Sequence, residues 1–229
     1  RTVKGEVVSS TLANPGERDS YTFTLAQDSR LLFDSLTAND NVGWSLAGPT
    51  GTIATRDFLR SDGGNISGST SLFALAGDYT LTVFPGGDFA GPYAFRLLDM
   101  ADATTLPLGT PVTGSLDPGN QARVLTFDAA AGERFFFDAQ GQNNSSVWRL
   151  FDPSGRQLFF ANWINDQGPL TLARSGRYTL VLDGGVGNAT PQNYTIQVTK
   201  IVDLADTLIL GSTYQGTLPL PYQSTDLAF

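Results

Sequence analysis

Polar and apolar positions alternate over short stretches of the chain. Tyr21, Phe23 and Leu25 are separated by Thr22 and Thr24, the period of two expected of a strand with one face in a core. A leading strand is expected at residues 3–12, followed by a turn at Asn14-Pro15-Gly16. Arg30-Leu31-Leu32-Phe33 is apolar without alternation, which predicts a central strand covered on both faces. Trp44-Ser45-Leu46 alternates again and closes at Gly48-Pro49-Thr50-Gly51, the punctuation of a hairpin end. Later strands are expected at 52–55, at Gly77-Asp78-Tyr79-Thr80-Leu81 and at Tyr93-Ala94-Phe95. No stretch carries the 3.6-residue period of an amphipathic helix.

The pattern is written twice. Phe23, Arg30, Phe33, Asp34, Asn39, Trp44, Leu46, Pro49 and Gly51 recur 104 positions later as Phe127, Arg134, Phe137, Asp138, Asn143, Trp148, Leu150, Pro153 and Gly155. Asp62 and Gly64 answer to Asp166 and Gly168, whereas Gly77 and Gly176 lie 99 apart, so the first copy holds a surplus assigned to a loop at 68–71. The linker Asp99-Met100-Ala101-Asp102 returns as Asp203-Leu204-Ala205-Asp206, and Leu116 and Phe127 return as Leu218 and Phe229. The expected architecture is therefore all-β: tandem antiparallel β-sandwich, jelly-roll-like repeats of about eight strands each. They occupy residues 1–100 and 101–202, with a truncated start of a third repeat at 203–229. That last segment should hold two strands with no sheet to pack on, and so be poorly ordered or complemented by a neighbouring chain through its unpaired edges.

Composition narrows the chemistry. Fourteen basic residues against 22 acidic ones give a net charge of −8, which repels phosphate backbones, so no nucleic-acid partner is expected. No apolar stretch reaches spanning length, and no membrane insertion is expected. The chain begins at Arg1 without a signal peptide and reads as a piece of something longer. Cys and His are both absent, which removes disulfides, thiolate chemistry, the usual general base and the commonest transition-metal ligand. Paired carboxylates remain open to so acidic a chain. The matched positions, however, are mainly aromatics, glycines and prolines, the residues of a scaffold, and no enzyme and no required cofactor are expected.

Four sets of residues are candidates for binding. Trp44 and Trp148 are either core residues in matched register or platforms for sugar rings. Trp163 aligns with Leu59 and sits in the polar setting Asn162, Ile164, Asn165 and Asp166; it is either part of a ligand-binding surface or a plug for the end of the sandwich. Calcium takes six to eight oxygen ligands, and two sets offer carboxylates and amides for it. One is the linker set Asp99, Asp102, Asp203 and Asp206; the other is the loop set Asp34, Asn39, Asp40 and Asp62, with second-copy equivalents Asp138, Asn143, Asn144 and Asp166. Capping and solvation of turns is the plainer reading of both. Asn65-Ile66-Ser67 and Asn193-Tyr194-Thr195 fit the glycosylation pattern and are read as chance matches.

Gly77-Asp78-Tyr79-Thr80-Leu81 and Gly176-Arg177-Tyr178-Thr179-Leu180, with Asp19-Ser20-Tyr21-Thr22-Phe23 before them, resemble the bacterial pre-peptidase C-terminal family, which includes the collagen-binding domains of clostridial collagenases. The resemblance covers both full copies and the partial third. It implies a secreted or cell-surface β-sandwich module that spaces or adheres, sometimes with calcium, in tandem arrays whose partners are neighbouring copies. The second copy departs from the pattern at Ala122-Arg123-Val124-Leu125, where the acid and the aromatic are missing. The resemblance leaves two functions in view. One is a structural spacer or adhesive repeat of a large extracellular bacterial protein, possible strand complementation by 203–229 included. The other is an accessory module of a secreted hydrolase that binds carbohydrate or protein fibre, an extracellular polymer.

Overall fold

The computed structural model describes residues 4–66, 71–141, 145–220 and 222–229. Val3, Ser67, the loop at 68–70 and the candidate ligands Asn143 and Asn144 lie outside the described residues.

The first eight strands are β1 (Val7–Leu12), β2 (Asp19–Leu25), β3 (Ser29–Ser35), β4 (Val42–Gly48), β5 (Gly51–Asp57), β6 (Ser71–Ala74), β7 (Gly77–Pro85) and β8 (Gly91–Asp99). They form two antiparallel sheets in the orders β1-β8-β3-β6 and β2-β7-β4-β5, which is jelly-roll topology. After β9 (Thr104–Thr105) the order repeats. Strands β10 (Val112–Leu116), β11 (Ala122–Ala129), β12 (Arg134–Ala139), β13 (Val147–Phe151), β14 (Gln157–Asn162), β15 (Gln167–Thr171), β16 (Gly176–Asp183) and β17 (Gln192–Ile201) give sheets β10-β17-β12-β15 and β14-β13-β16-β11, with β9 parallel to β11 at the edge. Among the described residues, helix is confined to two three-residue 3-10 turns, Gly63–Asn65 and Met100–Asp102.

Each pair of sheets encloses its own core. In the first, Trp44 stacks on Phe33 at 4.1 Å between ring centroids; in the second, Trp148 meets Phe137 edge-on at 6.4 Å. Both indoles are fully buried. The repeated Gly-x-Tyr-Thr-Leu motif has a steric origin. Gly77 and Gly176 have φ of +139° and +133°, and a Cβ there would meet Pro49 and Pro153, the prolines of the matched hairpin ends. Two residues on, Tyr79 and Tyr178 turn inward and their hydroxyls donate to the carbonyls of Leu75 and Arg174, at 2.8 and 2.7 Å. The motif thus ties a strand to the turn that precedes it.

The register of the second copy slips once. The turn after β13 holds one residue more than its counterpart: Trp44 faces Arg56 in the first copy, and Trp148 faces Ala161 in the second. Consequently Trp163 is the equivalent of Phe58, not of Leu59. Phe58 N–H donates to Val42 O and Trp163 N–H to Ser146 O; Phe58 meets Tyr93, and Trp163 meets Tyr194, each at 5.8 Å and nearly perpendicular.

The two sandwiches stack sheet on sheet. Leu32 of β3, with Leu98 and Met100, packs against Ala122 and Val124 of β11, Phe151 of β13 and Val181 of β16. This second layer explains the unbroken apolar run in β3: Leu31 and Phe33 face their own core, and Leu32 faces the next sandwich.

Within residues 203–229, β18 (Leu204–Thr207) and β19 (Thr225–Ala228) pair as a two-stranded parallel sheet. It reproduces the β9–β11 pairing: Leu106 N–H donates to Thr126 O, and Leu208 N–H to Ala228 O, both at 2.7 Å. The strand expected around Leu218 does not form. Among the described residues its equivalent β10 pairs only with β17, a strand that arrives late in the repeat. Positions that are core in the second sandwich are exposed here: Leu116 is 3% and Phe127 2% exposed, against 54% for Leu218 and 91% for Phe229.

Candidate functional site

The densest polar chemistry lies where the two sandwiches meet. Arg149, in the middle of the apolar strand β13, is buried with Asp183 at the end of β16, and its Nη1 donates to Asp183 Oδ2 at 2.7 Å. Arg149 Nη2 also donates to the carbonyl of Gly63 in the first sandwich, and Gly63 N–H donates to Asp183 Oδ2 at 2.9 Å. Gly63 has φ of +59°, and a Cβ there would crowd the Gly184 carbonyl at 3.1 Å, so a side chain would force the two surfaces apart. The first sandwich returns the contact. Arg96 Nε donates to Asp34 Oδ2 at 2.6 Å and Arg96 Nη2 to Ala122 O at 2.7 Å, while Ala122 N–H donates to Asp34 Oδ1 at 3.2 Å. Each half of the joint therefore binds the backbone of the other through one arginine and one aspartate. A third buried carboxylate, Asp62, accepts from Ser35 N–H.

Burial raises all three carboxyls. Asp34 is pushed up to about 6, desolvation outweighing Arg96; Asp62 lies well above the usual range through desolvation and the negative charges of Asp183 and Asp34; Asp183 is raised by desolvation despite Arg149.

The residues proposed from sequence are placed as follows. Trp163 is 2% exposed and its Nε1 donates to Val147 O at 2.7 Å, so the indole belongs to the core of its sandwich and offers no exposed platform. Of its neighbours, Asn165 is an exposed turn residue whose N–H donates to Asn162 O, and Asp166 Oδ1 accepts from Ala139 N–H at 2.8 Å. The linker set is not brought together. Asp99 and Asp102 share one cation, the Lys4 ammonium, at 2.7 and 3.1 Å. Burial alone would raise Asp99, but Lys4, Ser29 and the Ala101 N–H together hold it below the ordinary value. Asp203 pairs with Arg134 at 2.6 Å and caps Ser224 N–H, and Asp206 caps Thr207 N–H. The repeated four-residue linker also adopts two conformations, a 3-10 turn at Met100–Asp102 and a strand at Leu204–Thr207.

The loop set divides likewise. Asp34 and Asp62 enter the joint, Asn39 Oδ1 accepts from Asn41 N–H at 2.8 Å, and Asp40 lies 3.8 Å from Arg60. In both sets a guanidinium, an ammonium or a backbone N–H stands at the carboxylates offered as candidate calcium ligands, and among the described residues no cluster of acidic side chains has metal-holding geometry. What sequence reading missed is the joint itself. Its signal was a charge inside an apolar strand that the other copy lacks: Arg149 stands where the first copy has Ser45, and Asp183 where it has Phe84.

Hollows elsewhere are open and hydroxyl-lined. One of about 630 Å³ is bounded by Ser9, Ser10, Thr37 and Tyr93; another of about 830 Å³ lies on the outer face of β2-β7-β4-β5 beside Thr22, Thr24, Asp78 and Thr80. Neither gathers a reactive set. No helix among the described residues is long and apolar enough to cross a membrane.

No protein family and no curated protein matches the sequence. Solved structures similar to parts of the chain are all-β domains. They include PliG, a periplasmic inhibitor of g-type lysozyme from Aeromonas hydrophila (18% identity, 42% of this chain and 96% of that one, TM-score 0.33). The CUB1-EGF-CUB2 domain of human MASP-1/3 aligns over 85% of this chain and 99% of its own at 7% identity and TM-score 0.25. The tail fibre protein gp63.1 of an E. coli phage aligns over 80% of this chain and 35% of its own at 9% identity and TM-score 0.25. Likeness at this level carries no functional argument.

Proposed function

We propose that this chain is a structural or adhesive repeat module of a large secreted or cell-surface bacterial protein, as the pre-peptidase C-terminal resemblance implies. One observation carries the reading: the same strand order is laid down twice and the β9–β11 pairing that opens the second copy recurs at β18–β19, with the matched side chains spent on packing, turns and backbone capping. The buried joint supports it, because sheet-on-sheet stacking across apolar and ionic contacts fixes the spacing of successive units better than a flexible linker does. Small-angle scattering of the whole chain tests the reading. The expected profile is that of a rigid rod two sandwiches long, unchanged by glycans or collagen; a profile of freely jointed bodies would count against it. Binding on a glycan or collagen array, lost on substitution around Thr22 and Thr80, would instead favour an accessory module of a secreted hydrolase.

A further inference from the structure

Among the described residues, three buried carboxylates meet two guanidiniums in the joint, Arg149 buried and Arg96 half-buried, and their charges do not cancel. Arg96 is committed to Asp34 and Arg149 to Asp183, each by a direct hydrogen-bonded ion pair. Among the described residues, Asp62 has no cation of its own. Its Oδ2 is held by Ser35 N–H, and its Oδ1 is buried without a partner among those residues, as is Oδ1 of Asp183. Gly63, which donates to Asp183, is the residue next to Asp62, and the two carboxyls feel each other's charge, so both belong to one buried polar cluster. A bare carboxylate there is strongly disfavoured, since a buried charge without a compensating cation loses its hydration and gains nothing in return. A neutral carboxylic acid resolves it, having a donor to offer an orphaned acceptor.

We propose that the joint is a proton-binding site, with Asp62 carrying a proton toward Asp183, and that occupancy of this site holds the two sandwiches together.

The charged groups around the pocket are Asp34 and Arg96 from β3 and β8, and Arg149 and Asp183 from β13 and β16. Arg123, Asp99 and Asp102 line a cavity of about 240 Å³ beside Arg96 at the rim, with Lys4 on Asp99 and Asp102. Burial and the two neighbouring carboxylates favour the protonated form of Asp62, which agrees with the geometry. The sign follows. A carboxyl that binds its proton more tightly in the folded chain than in the unfolded chain stabilises the fold in acid. That contribution is lost as pH rises from the unfolded value of 3.8 through the raised folded value. The joint should thus be firm in mild acid and loosen toward alkaline pH, opposite to the ordinary acid sensitivity of salt-bridged proteins.

The repeat supplies an internal control. Asp166 caps Ala139 N–H as Asp62 caps Ser35 N–H, but it is exposed at the far end of the second sandwich. Thermal unfolding of the whole chain, unmutated, Asp62→Asn and Asp166→Asn, is compared at about pH 5 and pH 8. The unmutated chain and Asp166→Asn should lose roughly 4–8 °C of Tm on going to the higher pH. Asp62→Asn, whose amide mimics the protonated acid, should lose less, with Asp34 and Asp183 supplying what remains. An equal loss in all three overturns the proposal. Independently of any variant, infrared spectroscopy of the unmutated chain at about pH 7, where ordinary carboxyls are ionised, should show a carboxylic-acid C=O band. Absence of that band overturns it as well.

Discussion

Single residues divide into those the repeat matches and those it does not, and the two kinds do different work. Trp44 and Trp148 are matched and buried, so Trp148→Ala should destabilise by roughly 3–5 kcal/mol through lost burial and a cavity, read as a lower urea midpoint. Gly176→Ala forces a side chain to φ +133° against Pro153 and should cost about 1–3 kcal/mol by the same measurement. Arg149 is unmatched. Arg149→Met leaves Asp183 buried without its partner and should cost about 3–5 kcal/mol. Adding Asp183→Leu should recover much of that loss, because the apolar pair needs no desolvation. Asp99 and Asp102 already share the Lys4 ammonium, so Tm should be the same in millimolar calcium and in chelator; a rise with calcium would restore the linker as a metal site.

At the scale of elements, the β3 strand and the 203–229 segment show how far pairing depends on strands distant in the chain. Leu31-Leu32-Phe33 reads as covered on both faces, and it is, one face by its own core and the other by the second sandwich. In the second copy the equivalent Phe136 is covered by Tyr222, whose ring centre lies 5.1 Å away. The parallel pair β18–β19 has its own hydrogen bonds but, among the described residues, no further strand beside it, and two strands alone are marginal in water. Its amides should therefore exchange with solvent far faster than those of β11 and β16 when followed by hydrogen exchange. Protection equal to β11 would show that a second chain covers the segment.

For the molecule as a whole, the faces that stack were chosen by differences between copies. Val124, Phe151 and Val181 meet the first sandwich; the same positions in the first copy are Ser20, Ala47 and Thr82, on a face that stays open. One jelly roll thus presents an apolar face and the other a hydroxyl-rich one, with the same internal core behind both. This asymmetry is why stacking buries a seam without the sandwiches becoming interchangeable.

Alternation of side chains, glycine and proline at turns and the repeat spacing determined the eight-strand sandwich and its duplication. Those are local consequences of a two-residue period and of backbone conformations that few residues adopt. The same reading aligned Trp163 with Leu59, because a single residue added in one turn and removed before Asp166 leaves the overall spacing intact. Only hydrogen-bond register revealed the slip. Whether an aspartate caps a strand, balances an arginine or lies alone in a seam was decided by tertiary structure. The sequence places Asp34, Asp62 and Asp183 far apart along the chain, and their charge states follow from burial that only the meeting of two sandwiches creates.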